Sequence, residues 1–67
     1  MTITVCYYDR PYELTNPARA AMMARNEGRR ALATIEENGK YADINARWQA
    51  KMAARFAAVS LELGRES

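Results

Sequence analysis

Basic residues recur at helical spacing and are the side chains in this sequence best suited to bind a ligand. Arg47, Lys51 and Arg55 are four residues apart, so on a helix they form one ridge along a single flank. Such a ridge can follow phosphates, because guanidinium groups donate paired hydrogen bonds to them. One interpretation is therefore a small nucleic-acid-binding regulator that uses Arg19, Arg25, Arg29, Arg30, Arg47, Lys51 and Arg55.

The same charges also fit an ordinary solvated surface. The chain has 10 lysines and arginines against 8 aspartates and glutamates, a net charge of +2. This excess is small for a protein that binds polyanions. Long basic side chains often cover hydrophobic edges with their stems and pair with nearby carboxylates, here Glu27, Glu36 or Glu62. Both interpretations of the basic ridges stay open at this point.

Catalytic groups are scarce. The chain has no histidine, the side chain that most often acts as a general base near neutral pH. Cys6 has no histidine to activate it, so we expect a small packing residue there. Glu36 and Glu37 are adjacent, so on a helix their carboxylates diverge by about 100° and cannot face one substrate. The sequence therefore predicts a protein that is not an enzyme.

Metal and cofactor motifs are also missing. One cysteine and no histidine cannot supply the four ligands of a structural zinc site. Neither a G-x-G-x-x-G pattern nor a P-loop occurs. We expect no metal, no cofactor and no small-molecule substrate.

The amino-terminal segment predicts a β element over residues 2–15. In residues 2–8, Thr2, Thr4, Cys6 and Tyr8 alternate with apolar or aromatic residues, which is the two-residue period of a strand. Pro11 cannot donate a ladder hydrogen bond, so we expect a turn at residues 9–11 and a short return strand over residues 12–15.

Two helices are predicted after the β element. Asn16 is a good N-cap, and Pro17 suits the first helical position, so helix 1 begins at residue 17. Gly39, after Asn38, can adopt the left-handed conformation that ends a helix, which places the end of helix 1 near residue 37. Helix 2 is expected over residues 41–63, with Gly64 as its stop. The short link predicts an antiparallel helical hairpin, with one continuous kinked helix as the alternative.

Helical spacing separates apolar stripes on the two helices. The stripe on helix 1 is mostly small, and we expect it to face the larger stripe on helix 2. The first comprises Pro17, Ala21, Ala24, Gly28, Ala31, Leu32 and Ile35, and the second Tyr41, Trp48, Met52, Phe56, Val59 and Leu63. The fold class is mainly α (α+β): a β-strand or hairpin followed by two antiparallel helices.

A single domain of 67 residues buries little surface, so we expect oligomerisation, with a homodimer as the simplest form, to complete it. Asn45 lies within the second stripe and either pairs with a symmetry-related copy or is hydrated near the helical turn. Helix 2 also carries a second apolar face, which is either a solvent-facing helical surface or a contact surface. It comprises Ala46, Ala50, Ala53, Ala54, Ala57 and Leu61.

The tyrosines near the strand and the unassigned methionines favour a protein partner. Tyrosine offers a large contact area with a polar end, and an edge strand can pair with a second chain. The expected partner-binding residues are Val5, Tyr7, Tyr8, Tyr12, Met22, Met23 and Leu61. We expect a small accessory or inhibitory protein, in the style of a bacterial or phage regulator. The first apolar run is short and lacks a basic leader, so we expect a cytoplasmic protein without a membrane segment.

Overall fold

The computed structural model describes residues 1–66 as a β-hairpin followed by two long helices. Strands β1 (Ile3–Tyr7) and β2 (Arg10–Leu14) pair antiparallel, and helices α1 (Pro17–Glu37) and α2 (Ala42–Glu66) follow. This order confirms the predicted mainly helical fold with an amino-terminal hairpin. Within residues 1–66, neither helix is both long and apolar enough to cross a membrane.

The hairpin turn lies at Tyr8 and Asp9, not at residues 9–11. Both residues have positive φ, 51° and 61°, as a two-residue type I′ turn requires. This turn places Arg10 opposite Tyr7 and makes β2 start earlier than the predicted return strand. Tyrosine is an unusual residue at positive φ, which is why the sequence did not indicate this turn.

Pro11 lies within β2 rather than in the turn, opposite Cys6. The residues that flank a two-residue turn form a hydrogen-bonded pair, and such pairs alternate with non-hydrogen-bonded pairs along the ladder. Cys6 and Pro11 are therefore a non-hydrogen-bonded pair. The missing N–H of Pro11 would point away from β1, so it removes no ladder bond.

Local capping explains the bounds of α1. The Asn16 side chain accepts a 2.8 Å hydrogen bond from the Ala18 N–H, and Pro17 takes the first helical position. At the other end, Asn38 adopts the left-handed conformation and donates its N–H to the carbonyls of Thr34 and Ile35. Asparagine therefore ends α1, whereas the sequence assigned that role to Gly39.

Helix α2 differs from the prediction at both ends. It begins at Ala42, one residue late, and continues through Gly64 to Glu66. A glycine in a helix interior lowers helical stability by only about 1 kcal/mol relative to alanine. The helix can therefore continue through Gly64 when the neighbouring residues favour it. The prediction that Gly64 stops the helix is wrong.

Side-chain hydrogen bonds join the two helices near both ends of the antiparallel pair. Near the loop, the Thr34 hydroxyl donates to the Gln49 side-chain oxygen over 2.8 Å. Near the termini, the Ser60 hydroxyl donates to the Pro17 carbonyl, also over 2.8 Å. These two bonds fix how the helices are aligned along their length.

The hairpin covers one side of the helix pair, and the core lies between them. Phe56 and Leu14 are fully buried, and the cluster comprises Val5, Leu14, Ala20, Met52, Phe56, Val59 and Leu63. The large stripe predicted for α2 is thus buried over Met52–Leu63. Of its two first members, Tyr41 precedes α2 and is 59% exposed, whereas Trp48 packs against Tyr7 and Tyr8 at the hairpin tip and is 36% exposed.

The stripe predicted for α1 is only partly correct: Ala24 and Ala31 face the core, but its two largest members do not. Leu32 and Ile35 are 64% and 57% exposed, whereas Ala20, Glu27 and Ala31 are buried. The prediction followed hydrophobicity, but α1 is rotated so that Glu27 faces the hairpin, where it accepts a hydrogen bond from Tyr7. A polar contact outside the helix therefore sets which side of α1 is buried.

Candidate interaction surfaces

The helix pair exposes an apolar surface on the side away from the hairpin. Tyr7 contacts Glu27 and Arg30 on α1 and Trp48 on α2, which defines the covered side. At 100° per residue, Leu32 lies about 140° around α1 from Glu27, and Ala57 lies opposite Trp48 on α2. We call this surface the open helical face: Ala21, Gly28, Leu32, Ile35, Ala50, Ala53, Ala57 and Leu61.

Its large residues lie at the two ends and its small residues in the middle. Leu32 and Ile35 are near the helical turn, whereas Leu61 is near the other end and is 68% exposed. Between them, Gly28 has open space where a Cβ atom would lie, so no neighbour in the chain requires a glycine there. Large exposed apolar side chains grouped on one surface are typical of an interaction site.

A buried carboxylate joins the tip of the hairpin to α1. Glu27 is 3% exposed, and its Oε1 accepts hydrogen bonds from the Tyr7 hydroxyl and from Arg30. Arg30 also donates to the Tyr7 hydroxyl over 3.0 Å and to the Tyr8 hydroxyl over 2.9 Å. Arg30 thus bridges both tyrosines and the carboxylate. Its charge is satisfied within the chain.

The cluster of Tyr7, Glu27 and Arg30 leaves one buried carboxylate oxygen without a partner in the described part of the chain and raises the pKa of Tyr7. Glu27 Oε2 is buried, and it has no hydrogen-bond partner among residues 1–66. Burial, reinforced by the hydrogen bond to Glu27 and by its negative charge, raises the pKa of the Tyr7 hydroxyl above its ordinary value near 10. The hydroxyl therefore remains a proton donor to Glu27 across the physiological range.

A cleft lies where the hairpin tip ends above the helix pair. Its volume is about 720 Å³, and we call it the turn cleft. Aromatic rings form part of its wall: the Tyr8 and Trp48 ring centroids are 4.8 Å apart at an interplanar angle of 48°. The lining residues are Cys6, Tyr8, Asp9, Arg30, Ile44, Asn45, Trp48 and Gln49. Asn45 is exposed there, as its hydrated interpretation expects.

The predicted partner-binding residues are not gathered on one surface. Val5 is buried in the core, so its side chain is not available to a partner, and Met23 is half-buried against that core. Tyr7 and Tyr12 are half-buried and in ring contact with each other. Tyr8 lines the turn cleft, whereas Leu61 lies on the open helical face. Met22 is 47% exposed and projects away from both α2 and the hairpin.

The basic ridges point in different directions. Arg47, Lys51 and Arg55 are exposed on the flank of α2 away from α1, and Arg25 and Arg29 are exposed on the opposite flank of the molecule. Arg19 is exposed on α1, and Arg30 is occupied by Glu27 and two tyrosines. The fold therefore does not combine the seven candidates into one basic surface.

The remaining reactive groups are dispersed. Cys6 is an exposed free thiol, not the packing residue that the sequence predicts, because it lies on the outer side of β1. Glu36 and Glu37 are exposed at the end of α1. In the described part of the chain, no group of three or more histidine, cysteine, aspartate or glutamate side chains is placed to hold a metal ion.

Several site residues could not be identified from hydrophobic spacing. Glu27 lies seven residues after Ala20 and four before Ala31, which is the spacing of residues on one side of a helix. Because Glu27 is charged, a hydrophobicity pattern does not include it in the buried side. Gln49 is only 9% exposed, and its polar side chain was likewise not predicted to be buried. Leu32 and Ile35 were assigned to the core on hydrophobicity alone.

Comparison with known proteins adds no relatives: no family model, curated protein or solved structure matches this chain.

Proposed function

We propose that this chain is a non-catalytic accessory protein that self-associates through the open helical face and binds a protein partner on its other side. The observation that carries the proposal is the exposure of Leu32, Ile35 and Leu61 on one side of the helix pair. A helix pair with a core on one side only leaves apolar surface that a second layer would cover.

The size of the open helical face fits a second copy of the chain. Helices of this length are about 30 Å long, and packed neighbours lie about 10 Å apart, so the face measures on the order of 600 Å². A standard interface buries about 800 Å² per partner. A homodimer through this face would therefore approach the usual size.

The distribution of side-chain sizes supports close packing between copies. Gly28, Ala53 and Ala57 permit backbones to approach closely, whereas the leucines and isoleucine at the two ends can fill the space beside small residues of a partner. A glycine in a helix interior is unfavourable by about 1 kcal/mol relative to alanine. Contact with another molecule would give Gly28 a role that its own chain does not.

Self-association through this face leaves the hairpin side accessible. The turn cleft lies on the opposite side of the helix pair, because Trp48 and Ala57 project in opposite directions from α2. A partner protein can therefore contact Tyr8 and Trp48 while a second copy covers Leu32 and Ile35. This arrangement separates assembly from partner binding.

The test is sedimentation equilibrium of the wild-type chain and of Leu32→Glu. We expect the wild type to associate, and we expect Leu32→Glu to shift the protein to monomer because a charge would be buried in the interface. Met22→Glu is the matched control, since Met22 is also exposed on α1 but lies outside the open helical face.

Circular dichroism of Leu32→Glu checks that any loss of association is not loss of folding. Unchanged sedimentation in Leu32→Glu would contradict the proposal. Equal disruption by Met22→Glu would assign self-association to another surface.

The nucleic-acid interpretation has less support. Its residues lie on opposite flanks, and Arg30 is already paired with Glu27. If it were correct, binding of a DNA or RNA duplex would weaken steeply with salt and would be lost on charge reversal at Arg47 and Lys51.

A further inference from the structure

The two edges of the hairpin differ in their capacity to accept another strand. In the observed register, the N–H and C=O groups of Thr4 and Cys6 point outward from β1, because both residues occupy non-hydrogen-bonded positions opposite β2. The corresponding positions on β2 are Pro11 and Glu13. Proline lacks the donor and a charged side chain discourages pairing, so the edge of β2 is blunted and that of β1 is open.

The open edge borders the turn cleft. Cys6 lines the cleft together with Trp48 and Ile44, so a strand added beside β1 would pass a cavity able to accept one of its side chains. Backbone pairing combined with a pocket for a single side chain is the usual form of strand addition. The cleft and the edge therefore form one continuous site.

The chemistry of the turn cleft favours a neutral ring. Asp9 and Arg30 are its only charged lining residues, and Arg30 is held by Glu27 and the tyrosine hydroxyls. No uncommitted cation remains there to bind a phosphate or carboxylate. Trp48 and Tyr8 offer aromatic surface, and Ile44, 67% exposed, adds an apolar side chain.

Two further observations indicate a prepared site. Gln49 is 9% exposed and lines the cleft, and its side-chain oxygen accepts a hydrogen bond from the Thr34 hydroxyl. Because that bond occupies the oxygen, the amide nitrogen is the group that can donate to a ligand. Tyr8 adopts φ of 51°, which is unfavourable for a bulky residue and places its ring beside Trp48.

We propose that the turn cleft and the edge of β1 bind an extended segment of a partner protein, which pairs with the backbone of Thr4 and Cys6 and inserts an aromatic side chain beside Trp48. This inference rests on the proposed function, because it specifies the partner, but it involves a different surface from self-association. The amide of Gln49 is placed to donate to a carbonyl or ring acceptor of that segment.

The test is selection of a library of random linear peptides against the wild-type chain, followed by binding measurements on the enriched peptides. We expect the enriched peptides to share one aromatic residue in a strand-forming context. Thr4→Pro, which removes an outward N–H of β1, should weaken their binding by about tenfold. Glu13→Pro is the matched control because it removes the equivalent donor on β2, and its affinity should stay within about twofold of wild type.

The aromatic side chain is tested separately. Trp48 is the only tryptophan, so its fluorescence reports on the cleft directly. We expect a selected peptide to change this fluorescence, and replacement of its aromatic residue by alanine to weaken binding by about tenfold. Trp48→Leu, checked for folding by its thermal transition, should weaken the parent peptide to a similar extent.

Either of two results would overturn the proposal: no enrichment above background, or enriched peptides that bind Thr4→Pro and Trp48→Leu as tightly as wild type. Sedimentation separates this outcome from failure of the proposed self-association. Thr4→Pro should sediment as wild type does, and Leu32→Glu should still bind the selected peptide.

Discussion

The two sides of the helix pair differ in what covers them. On the side of the hairpin, Phe56 is fully buried, and its ring centroid lies 5.5 Å from the ring centroid of Tyr7. On the open helical face, Leu32 and Ile35 remain more than half exposed. The hairpin supplies one covering layer, and nothing in residues 1–66 supplies the second. The apolar side chains on the open helical face are therefore not covered within residues 1–66.

The two sides also differ in the interactions that determine how they pack. The covered side combines apolar packing with the polar cluster of Tyr7, Glu27 and Arg30, whose geometry allows few alternative arrangements. The open helical face has no polar groups of this kind, and its small residues are compatible with several ways of packing. The comparison predicts that substitutions on the two sides affect different measurements.

The largest effect is expected from Phe56→Ala on the covered side. Removing a fully buried aromatic ring should lower the free energy of unfolding by about 3–5 kcal/mol, because it leaves a cavity in the core. Ile35→Ala on the open helical face should change it by less than about 0.5 kcal/mol in dilute monomer. Urea unfolding followed by circular dichroism measures both, and similar losses would contradict the distinction between the sides.

An intermediate effect is expected from Tyr7→Phe, which removes the hydrogen bond to the buried carboxylate but keeps the ring. The loss should be about 1.5–3 kcal/mol, as for other hydrogen bonds to charged groups. Tyr12→Phe is the control, since it keeps that hydrogen bond, and it should change the free energy of unfolding by less.

The same pair of variants carries a pH prediction. The pKa of Tyr7 is higher in the folded chain than in the unfolded chain, so the unfolded state loses its proton first as pH rises. Stability from this group is fully present below about pH 10 and falls above it. We expect wild type and Tyr12→Phe to share this fall and Tyr7→Phe to lack it. Parallel curves for all three would show that Tyr7 is not the responsible group.

The smallest effect on the free energy of unfolding is expected from Gly28→Ala. This substitution should stabilise the monomer and weaken self-association. An added Cβ meets open space within the chain, so the folded monomer should gain about 0.5–1 kcal/mol from helix propensity. On the open helical face, the same methyl group would keep a second copy further away and weaken association. Urea unfolding of dilute protein and sedimentation should therefore change in opposite directions.

Asn26→Ala is the control for Gly28→Ala. It improves helix propensity at an exposed position of α1 outside the open helical face, so it should stabilise the monomer without weakening association. Equal sedimentation of both variants would remove Gly28 from the interface.

Much of the fold followed from local signals in the sequence. Asn16 and Pro17 placed the start of α1, and the alternation in residues 2–8 predicted β1. These signals depend only on neighbouring residues, so they hold without knowledge of the tertiary structure. The turn at Tyr8 and Asp9 and the passage of α2 through Gly64 could not be read in this way. In both places other interactions of the chain outweigh residue preference.

The candidate surfaces were harder to predict because they depend on the rotation of α1. Leu32 and Ile35 were expected in the core, and that error assigned an exposed apolar surface to the contact between the helices. A charged residue at a buried position was the missing signal, because a hydrophobicity pattern assigns Glu27 to solvent. Only its pairing with Tyr7, twenty residues earlier, shows why it is inside.

Sedimentation equilibrium of the wild-type chain over a range of micromolar concentrations tests the central claim most directly. Coverage of the open helical face by a second copy predicts a mass of at least twice the 7.6 kDa of a single chain, decreasing on dilution. A chain that stayed at 7.6 kDa throughout and still unfolded cooperatively would contradict it, since the hairpin alone would then suffice as a covering layer.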